Sequence, residues 1–246
     1  MLTAAGHLFE FETLPAEAAI GTRLHSIRFQ ATSQQVGIKD LLEHRQSFPI
    51  EIVGAGCLPL LTQQILNQLA FPVSWRPNSN RRIRPEDIPE SFPAKLIGKR
   101  WNELSSFEVE PRLQIVFSDT YQPENLPPSV PQLPVVWHSR RVAIGPVLNI
   151  KSSHNPSCLH EERLKADPEW NFVLSQLLHN QRPLPRLADP WLELSANQIA
   201  LIATNLSNGK FPIELLQHSY EIAPPHSIWQ KNPWPLNGCG CGLKIA

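Results

Sequence analysis

The sequence predicts an α/β domain of the doubly wound type, and three segments carry this prediction. Residues 49–56, PIEIVGAG, form a short apolar run of β-branched residues that is closed by glycines. Residues 57–71, CLPLLTQQILNQLAF, then repeat leucine and isoleucine at helical spacing. Strand, glycine turn and helix in this order open a doubly wound α/β domain. Residues 113–119, LQIVFSD, add a buried strand that ends in a polar residue.

The remaining elements follow from the same patterns. The sequence predicts strands at 7–13, 23–29, 71–75, 133–139 and 141–150, and helices at 36–45 and around 170–178. A further helix is expected to be capped by Ser195 and to stop at Gly209. Residues 76–112 are proline-rich, basic and largely non-periodic, which indicates a surface excursion or a poorly ordered loop with one short helix near its end. We therefore expect a short, β-rich N-terminal extension over 1–47 and one α/β domain over 48–246.

Composition narrows the function classes. The chain has 246 residues, and its 22 basic and 22 acidic residues cancel, whereas a general nucleic-acid-binding protein carries a basic excess. With 41% hydrophobic and 18% charged residues, the chain can bury a core. It has no apolar run of about 18 residues and no signal-like N-terminus, so we expect a cytoplasmic protein with no membrane partner.

The segment GAGCLP (54–59) is a G-x-G-x-x-G motif in which Pro59 replaces the third glycine. No Asp or Glu ends the following strand to hold a ribose hydroxyl. The favoured interpretation is a Rossmann-like turn that binds no nucleotide. The alternative is a nucleotide site in which Gly54 and Gly56 approach a phosphate and Asp119 holds Mg²⁺ through water. Asp119 could equally serve as a turn former after its strand.

The cysteines suggest a second site. Cys158, Cys239 and Cys241 could hold Zn²⁺ tetrahedrally, with Glu161 or His160 as the fourth ligand, or they could be free thiols. Cys57 is most simply a small buried residue. No G-x-S-x-G elbow is present, so a hydrolase triad has no support. The basic run at 81–84 is expected to be solvated, with contact to an acidic peptide or phosphate as the alternative.

The segment RVAIGPVLNIKSSHNPSCLHEERLKADPEW, followed by an apolar helix and the terminal PLNGCGCG, resembles a known family. It is similar to the ThiF-like partner proteins of YcaO cyclodehydratases, which belong to the ubiquitin-activating-enzyme superfamily and help to make thiazole- and oxazole-modified peptides, including bacteriocins. Glu161 stands where the family motif has a second cysteine. The matching positions are Gly145, Pro146, Cys158, Leu159, Arg163, Asp167, Pro168, Trp170, Cys239 and Cys241.

The resemblance implies a Rossmann-like ThiF fold with a degenerate nucleotide site. It also implies a subunit without catalytic residues, which binds the leader of a ribosomal precursor peptide and presents it to a YcaO enzyme for azoline formation. Residues 1–47 would then be a reduced peptide-binding module, and the protein could form a homodimer. The alternative is an ATP·Mg²⁺-dependent adenylating enzyme that activates a peptide carboxylate or amide and uses Gly54, Gly56 and Asp119. A nicotinamide dehydrogenase is a weaker interpretation, because the ribose carboxylate is missing.

Overall fold

The protein is represented by a computed structural model. The structure describes residues 37–88, 92, 94–104, 110–118, 130–138, 141–149, 168–169, 189–210, 215, 218–223 and 226–230. The predicted strands at 7–13 and 23–29 and the predicted helix around 170–178 lie outside these residues.

The described residues form one mixed sheet of seven strands, in the order β2-β1-β3-β4-β5-β6-β7. Strands β1 to β4 pair in parallel, and β4 to β7 pair in antiparallel fashion. The predicted strands of the glycine-turn region are confirmed, and their β-branched, nearly continuous apolar runs are typical of parallel strands. The strands are β1 (Ile50–Val53), β2 (Val73–Arg76), β3 (Leu113–Ser118), β4 (Gln132–His138), β5 (Arg141–Ile144), β6 (Ser219–Ala223) and β7 (His226–Gln230).

Helices α2 (Cys57–Gln68) and α3 (Asp189–Ser207) pack against each other. They share one hydrophobic core with the side chains of alternate strand residues, including Ile52 of β1 and Ile115 of β3. Successive strand residues point to opposite faces, so one face of the sheet supplies this core. Burial of these apolar side chains is the dominant force that fixes the helices on the sheet.

Helix α1 (Ile38–Gln46) joins the C-terminal ends of α2 and α3. The Nη1 of Arg45 donates to the carbonyl of Leu69 at the end of α2, at 3.0 Å. The Nε2 of His44 lies 2.8 Å from the carbonyl of Ser207 at the end of α3, and since a carbonyl only accepts, His44 carries a proton on this nitrogen. Both helices therefore end on the same side of the molecule, where their carbonyls need donors.

The start of α3 corrects the sequence prediction. Ser195 is not the N-cap but an interior residue whose hydroxyl donates to the carbonyl of Trp191 at 2.7 Å. The helix begins at Asp189, and Pro190 suits its first turn because that position needs no intrahelical N–H. The predicted stop is confirmed: Gly209 has a φ of 67°, and the next N–H, of Lys210, donates to the carbonyl of Asn205 at 2.9 Å.

The segment after β2 is more ordered than the sequence predicts. It contains short 3₁₀ helices at Pro85–Asp87, Ala94–Leu96 and Trp101–Leu104. Trp101 is fully buried and packs edge-on against Trp75 of β2, with ring centroids 5.7 Å apart. Ile83 is also buried. The interpretation of 76–112 as a surface excursion is therefore wrong at these residues, which belong to the core.

The hairpin β6–β7 has no counterpart in the sequence prediction. It adds two antiparallel strands to the sheet next to β5. Among the described residues, no helix is both long enough and apolar enough to cross a membrane.

Candidate functional site

The candidate site lies at the carboxyl ends of β1 and β3, which are neighbours in the sheet. The chain leaves β1 toward β2 on one side, whereas β3 lies on the other side, so this is the point where the strand order reverses. Open α/β sheets bind their ligands in the crevice at such a point. Gly54 and Gly56 of the glycine motif follow β1 here, and β3 ends at Ser118.

Gly54 is required by the way the two strand ends approach each other. Its φ is 137°, a conformation that side-chain-bearing residues rarely adopt. A Cβ built on Gly54 would lie 2.7 Å from the Cβ of Phe117 and 3.0 Å from the Phe117 carbonyl oxygen. The absence of a side chain at Gly54 thus serves the packing of β1 against β3, independent of any phosphate.

Two hydrogen bonds hold Gly54 from the side of β2. The indole Nε1 of Trp75 donates to the Gly54 carbonyl at 2.8 Å. The Gly54 N–H donates to the carbonyl of Arg76 at 3.1 Å. Because Trp75 is itself buried against Trp101, the turn is braced by the segment that follows β2.

The start of helix α2 is poorly equipped to hold a phosphate. Gly56, with a φ of 119°, precedes the helix, and the residues from Gly54 to Leu60 are all buried. The side chains that begin the helix, Cys57 and Leu58, are apolar in character, and Pro59 removes one of the N–H groups that a helix start offers to an anion. The first turn carries no charged or hydroxyl side chain that could complete a phosphate cradle.

The end of β2 carries Arg76 where dinucleotide folds usually place a carboxylate. Its Nε donates to Oε1 of Glu51 at 3.1 Å. The other carboxylate oxygen of Glu51 accepts from Nε2 of Gln114 at 2.6 Å, and Gln132 in turn donates to Gln114 at 3.3 Å. Glu51, Gln114 and Gln132 stand at matching positions of neighbouring strands. On β2, Ser74 lies opposite Glu51, so Arg76 reaches Glu51 from two residues further along its strand. The hydrogen-bonded side chains form a polar row across the second face of the sheet.

This polar row explains how buried amides are tolerated on that face. Gln114 and Gln132 are almost fully buried, and each has a partner within the row. The row ends in the ion pair of Arg76, whose side chain is half-exposed. Its geometry is that of a structural network that commits both Glu51 and Arg76 to partners within the sheet.

Ser118 is the last described residue of β3. Among the described residues, its hydroxyl is buried and has no hydrogen-bond partner. The next residue, Asp119, which is the candidate Mg²⁺ ligand, lies outside the described residues. The structure thus brings Gly54 and Gly56 to the crevice, whereas the role of Asp119 stays a prediction.

The predicted metal ligands Cys158, Glu161, Cys239 and Cys241 all lie outside the described residues, as does His160. Within the part of the chain that the structure describes, no three His, Cys, Asp or Glu side chains cluster as a metal site would require. Cys57 is buried in the hydrophobic core, which confirms the prediction that it is a small buried residue.

The basic run at 81–84 is only partly solvated. The Nη2 of Arg81 donates to Oδ1 of Asp87 at 2.6 Å, and the Arg84 N–H donates to Oδ2 of the same carboxylate at 3.0 Å. Asp87 is buried, so it ties the run to the 3₁₀ turn that follows it. The prediction of a solvated run holds for Arg82 and Arg84, which are both exposed.

Sequence reasoning missed the residues that brace the glycine turn. Trp75 and Phe117 approach Gly54 from two other strands, and neither belongs to the glycine motif. The available signal was the position of each aromatic residue near the end of a predicted strand, since Trp75 ends the predicted strand 71–75 and Phe117 lies two residues before the end of 113–119. Such positions lie next to the crevice because parallel strands end at a common edge.

Comparisons with known proteins find similarity to solved structures only. No family model matches the sequence, and no curated protein matches it. Among solved structures, PaaA matches with a TM-score of 0.59 and 11% identity over 91% of this chain and 86% of PaaA. The microcin C7 biosynthetic enzyme MccB in complex with N-formylated MccA matches with a TM-score of 0.63 and 15% identity, over 90% of this chain and 74% of MccB. E. coli MccB with ATP matches with a TM-score of 0.61 and 14% identity, over 89% of this chain and 74% of MccB.

Identities of this size establish a common fold rather than a common reaction. The predicted fold class is confirmed, since this chain has the parallel strands, the glycine turn and the helix that follows it, and its fold matches those of PaaA and MccB over 91% and 90% of its length. The chain therefore has the ThiF-like, Rossmann-type fold that PaaA and MccB share.

Proposed function

We propose that this chain binds a ribosomal precursor peptide and presents it to a YcaO cyclodehydratase, without catalysing a step of azoline formation itself. The observation that carries the peptide-binding part is the fold, because MccB of the same fold has been solved with the peptide MccA. The YcaO partner and the azoline product come from the resemblance of residues 141–170 and of the terminal CGC to the partner-protein family.

The glycine turn supports the non-catalytic part of this proposal. Its residues are buried, Gly54 is explained by contact with Phe117, and Pro59 removes a phosphate donor. Arg76 replaces the carboxylate expected at the end of β2 and is paired with Glu51. Each of these features lowers the affinity expected for a nucleotide at the crevice.

Adenylation of a peptide is the second candidate function. It is favoured by the structure of E. coli MccB with ATP and by the position of Gly54 and Gly56 at the point where the strand order reverses. In this case Asp119, directly after β3, would hold Mg²⁺.

Zinc belongs to the proposal as a structural cofactor. Three thiolates, of Cys158, Cys239 and Cys241, with the carboxylate of Glu161 make a donor set that Zn²⁺ accepts. Zinc held by these residues would tie the end of the chain to the 158–161 segment, so that metal binding would contribute to folding.

One titration series separates the two candidate functions. One probe is ATP·Mg²⁺, followed by calorimetry and by pyrophosphate release. The other is a fluorescein-labelled Cys-, Ser- and Thr-rich precursor peptide, chosen from the short reading frames beside the gene. A peptide of the same composition in shuffled order is the control. We expect the authentic peptide to bind with a Kd of about 1–10 µM, with no ATP binding and no pyrophosphate release. Pyrophosphate release that depends on the peptide would overturn the non-catalytic proposal in favour of adenylation.

A further inference from the structure

The segment after β2 places two arginines side by side. Residues 81–84 and 98–101 run antiparallel and are joined by backbone hydrogen bonds of 2.8–3.1 Å. Two of these bonds come from the chain neighbours of Arg82 and Arg100, which form a β-bridge with each other. The side chains of an antiparallel pair that is not itself hydrogen-bonded lie close together on one face. We call residues 81–84 and 98–101 the arginine ribbon.

The hydrophobic core fixes the direction in which these arginines point. Ile83 and Trp101, which alternate with them along the ribbon, are 2% and 0% exposed and belong to the core. Successive residues of an extended chain point to opposite sides, and Arg82, Arg84 and Arg100 are all exposed. The ribbon therefore presents guanidinium groups to solvent because its other side is anchored in the core.

Carboxylates of the described chain do not neutralise the pair of Arg82 and Arg100. Neither guanidinium of the pair forms a salt bridge with a described residue. Asp87 is bound by Arg81, and Glu103 accepts from the backbone N–H of Arg100 at 3.3 Å. Like charges directly opposite each other on antiparallel strands are destabilising, so an anion bound here would relieve a cost that the fold carries.

The sequence around the ribbon has the same excess of positive charge. Residues 81–100 hold six basic and three acidic residues, although the whole chain is balanced at 22 of each. The balance of the whole chain therefore hides a local basic surface, and a surface of this kind attracts an acidic partner.

An exposed apolar side chain adjoins the arginine pair. Ile97 is 42% exposed. It precedes Gly98, whose carbonyl accepts from Nη1 of Arg82 at 3.3 Å, so residue 97 adjoins the position of this guanidinium. A free phosphate makes no use of an apolar contact, whereas a peptide side chain buries apolar area against it.

The charge and the apolar contact together indicate an acidic peptide as the partner. The planar guanidinium binds a carboxylate through two parallel hydrogen bonds. Single-stranded nucleic acids stack their bases on aromatic side chains, but no described aromatic residue of 81–104 is exposed, since Trp101 is buried and Phe92 packs on the core. We propose that the arginine ribbon and Ile97 form a docking surface for an acidic peptide segment that carries an apolar side chain.

Fluorescence anisotropy on the full chain tests this docking surface. The probe is a fluorescein-labelled peptide of about 12 residues with glutamates on both sides of a leucine, and the control peptide has glutamine in place of every glutamate. In about 50 mM NaCl we expect the acidic peptide to bind with a Kd of about 10–100 µM, and the glutamine peptide to bind at least about 10-fold more weakly.

Variants locate the binding on the ribbon. The double variant Arg82→Gln/Arg100→Gln should lose about 10-fold in affinity for the acidic peptide, and Ile97→Ser about 3-fold. The matched control is Arg112→Gln/Lys210→Gln, which removes two exposed cations outside the ribbon and should bind as the wild type does. Because Arg82 and Arg100 are exposed, their double variant should keep the wild-type melting temperature within about 2 °C.

A salt titration of the wild type tests the same contact without any variant. Raising NaCl to about 500 mM should weaken binding by at least about 10-fold, because salt screens exposed charges. No binding at about 500 µM peptide, a Kd that salt leaves unchanged, or equal binding by the wild type and the arginine double variant overturns the proposal.

Competition distinguishes the acidic peptide from other anions. Displacement of the probe by inorganic triphosphate, or by a uridine oligonucleotide, at a lower concentration than by unlabelled peptide would assign the ribbon to phosphate groups or to nucleic acid, and would equally overturn the proposal. None of these probes is a precursor peptide, so their outcome is separate from that of the proposed function.

Discussion

At the scale of single residues, Gly54 offers the sharpest test of how the candidate site is built. A methyl group there would meet the Cβ and the carbonyl of Phe117, and the φ of 137° would be strained as well. We expect Gly54→Ala to lower the free energy of unfolding by about 3 kcal/mol or more, measured by urea denaturation.

Gly98 supplies the matched control for this prediction. It also has a positive φ, of 85°, but nothing lies within 4 Å of a Cβ built on it. Gly98→Ala should therefore show only the backbone cost, about 1 kcal/mol. Equal losses in the two variants would contradict the close approach of β1 to the end of β3.

At the scale of elements, one buried cation, Arg45, ties helix α1 to the end of helix α2. The Arg45 guanidinium donates to the end of α2 and lies 5.4 Å from the ring centroid of Phe71. Its position beside the carbonyl-rich end of α2 is where a cation is stabilised by the helix dipole. We expect Arg45→Ala to lower the free energy of unfolding by roughly 2–4 kcal/mol in urea denaturation, and Arg45→Lys to lose less.

A variant on the same helix tests whether this loss is specific. Lys39 is exposed and only 3.9 Å from Glu43, so Lys39→Ala should change stability by less than about 0.5 kcal/mol. If Arg45→Ala proved as mild as Lys39→Ala, Arg45 would not hold the end of α2 as described.

The pKa of Arg45 fixes the pH dependence of that measurement. Desolvation by burial lowers the pKa of Arg45 to about 10, because burial disfavours the charged form. The unfolded chain then holds this proton more tightly than the folded chain, so stability rises with pH only from about pH 10 upward. Arg45 stays protonated in both states at neutral pH, and the loss in Arg45→Ala should be equal at about pH 6 and about pH 8.

Elements also show where sequence reasoning succeeds and where it stops. Strands β1 and β3 and helix α2 were predictable, because parallel strands and their crossover helix need apolar runs that are visible in the sequence. The start of α3 was not predictable. Serine is a common N-cap residue, but the hydroxyl of Ser195 donates to the carbonyl of Trp191 inside the helix. The hairpin β6–β7 was missed because short strands bounded by prolines give a weak periodic signal.

At the scale of the whole molecule, the sequence predicts only those parts of the candidate site that belong to the glycine motif or directly follow a predicted strand. The sequence located the glycine turn and the missing carboxylate at the end of β2. It could not indicate that Phe117 fills the space beneath Gly54 or that Trp75 holds its carbonyl, because these contacts arise only when three strands align.

The predicted zinc site is a property of the whole chain, since its ligands come from 158–161 and from the terminal residues. Loss of a thiolate ligand weakens metal binding, and a structural zinc contributes its binding energy to folding. We expect Cys239→Ala to lose its bound zinc and to melt about 10 °C lower than the wild type, measured by elemental analysis and by thermal unfolding of the same sample. Cys57→Ala is the control, because Cys57 is buried in the core and its loss should affect melting while the zinc content stays unchanged. A Cys239→Ala protein that keeps both its zinc and its melting temperature would show that Cys239 is not a zinc ligand. The stability of the fold would then come from the packing of its sheet and helices, without a contribution from the terminal cysteines.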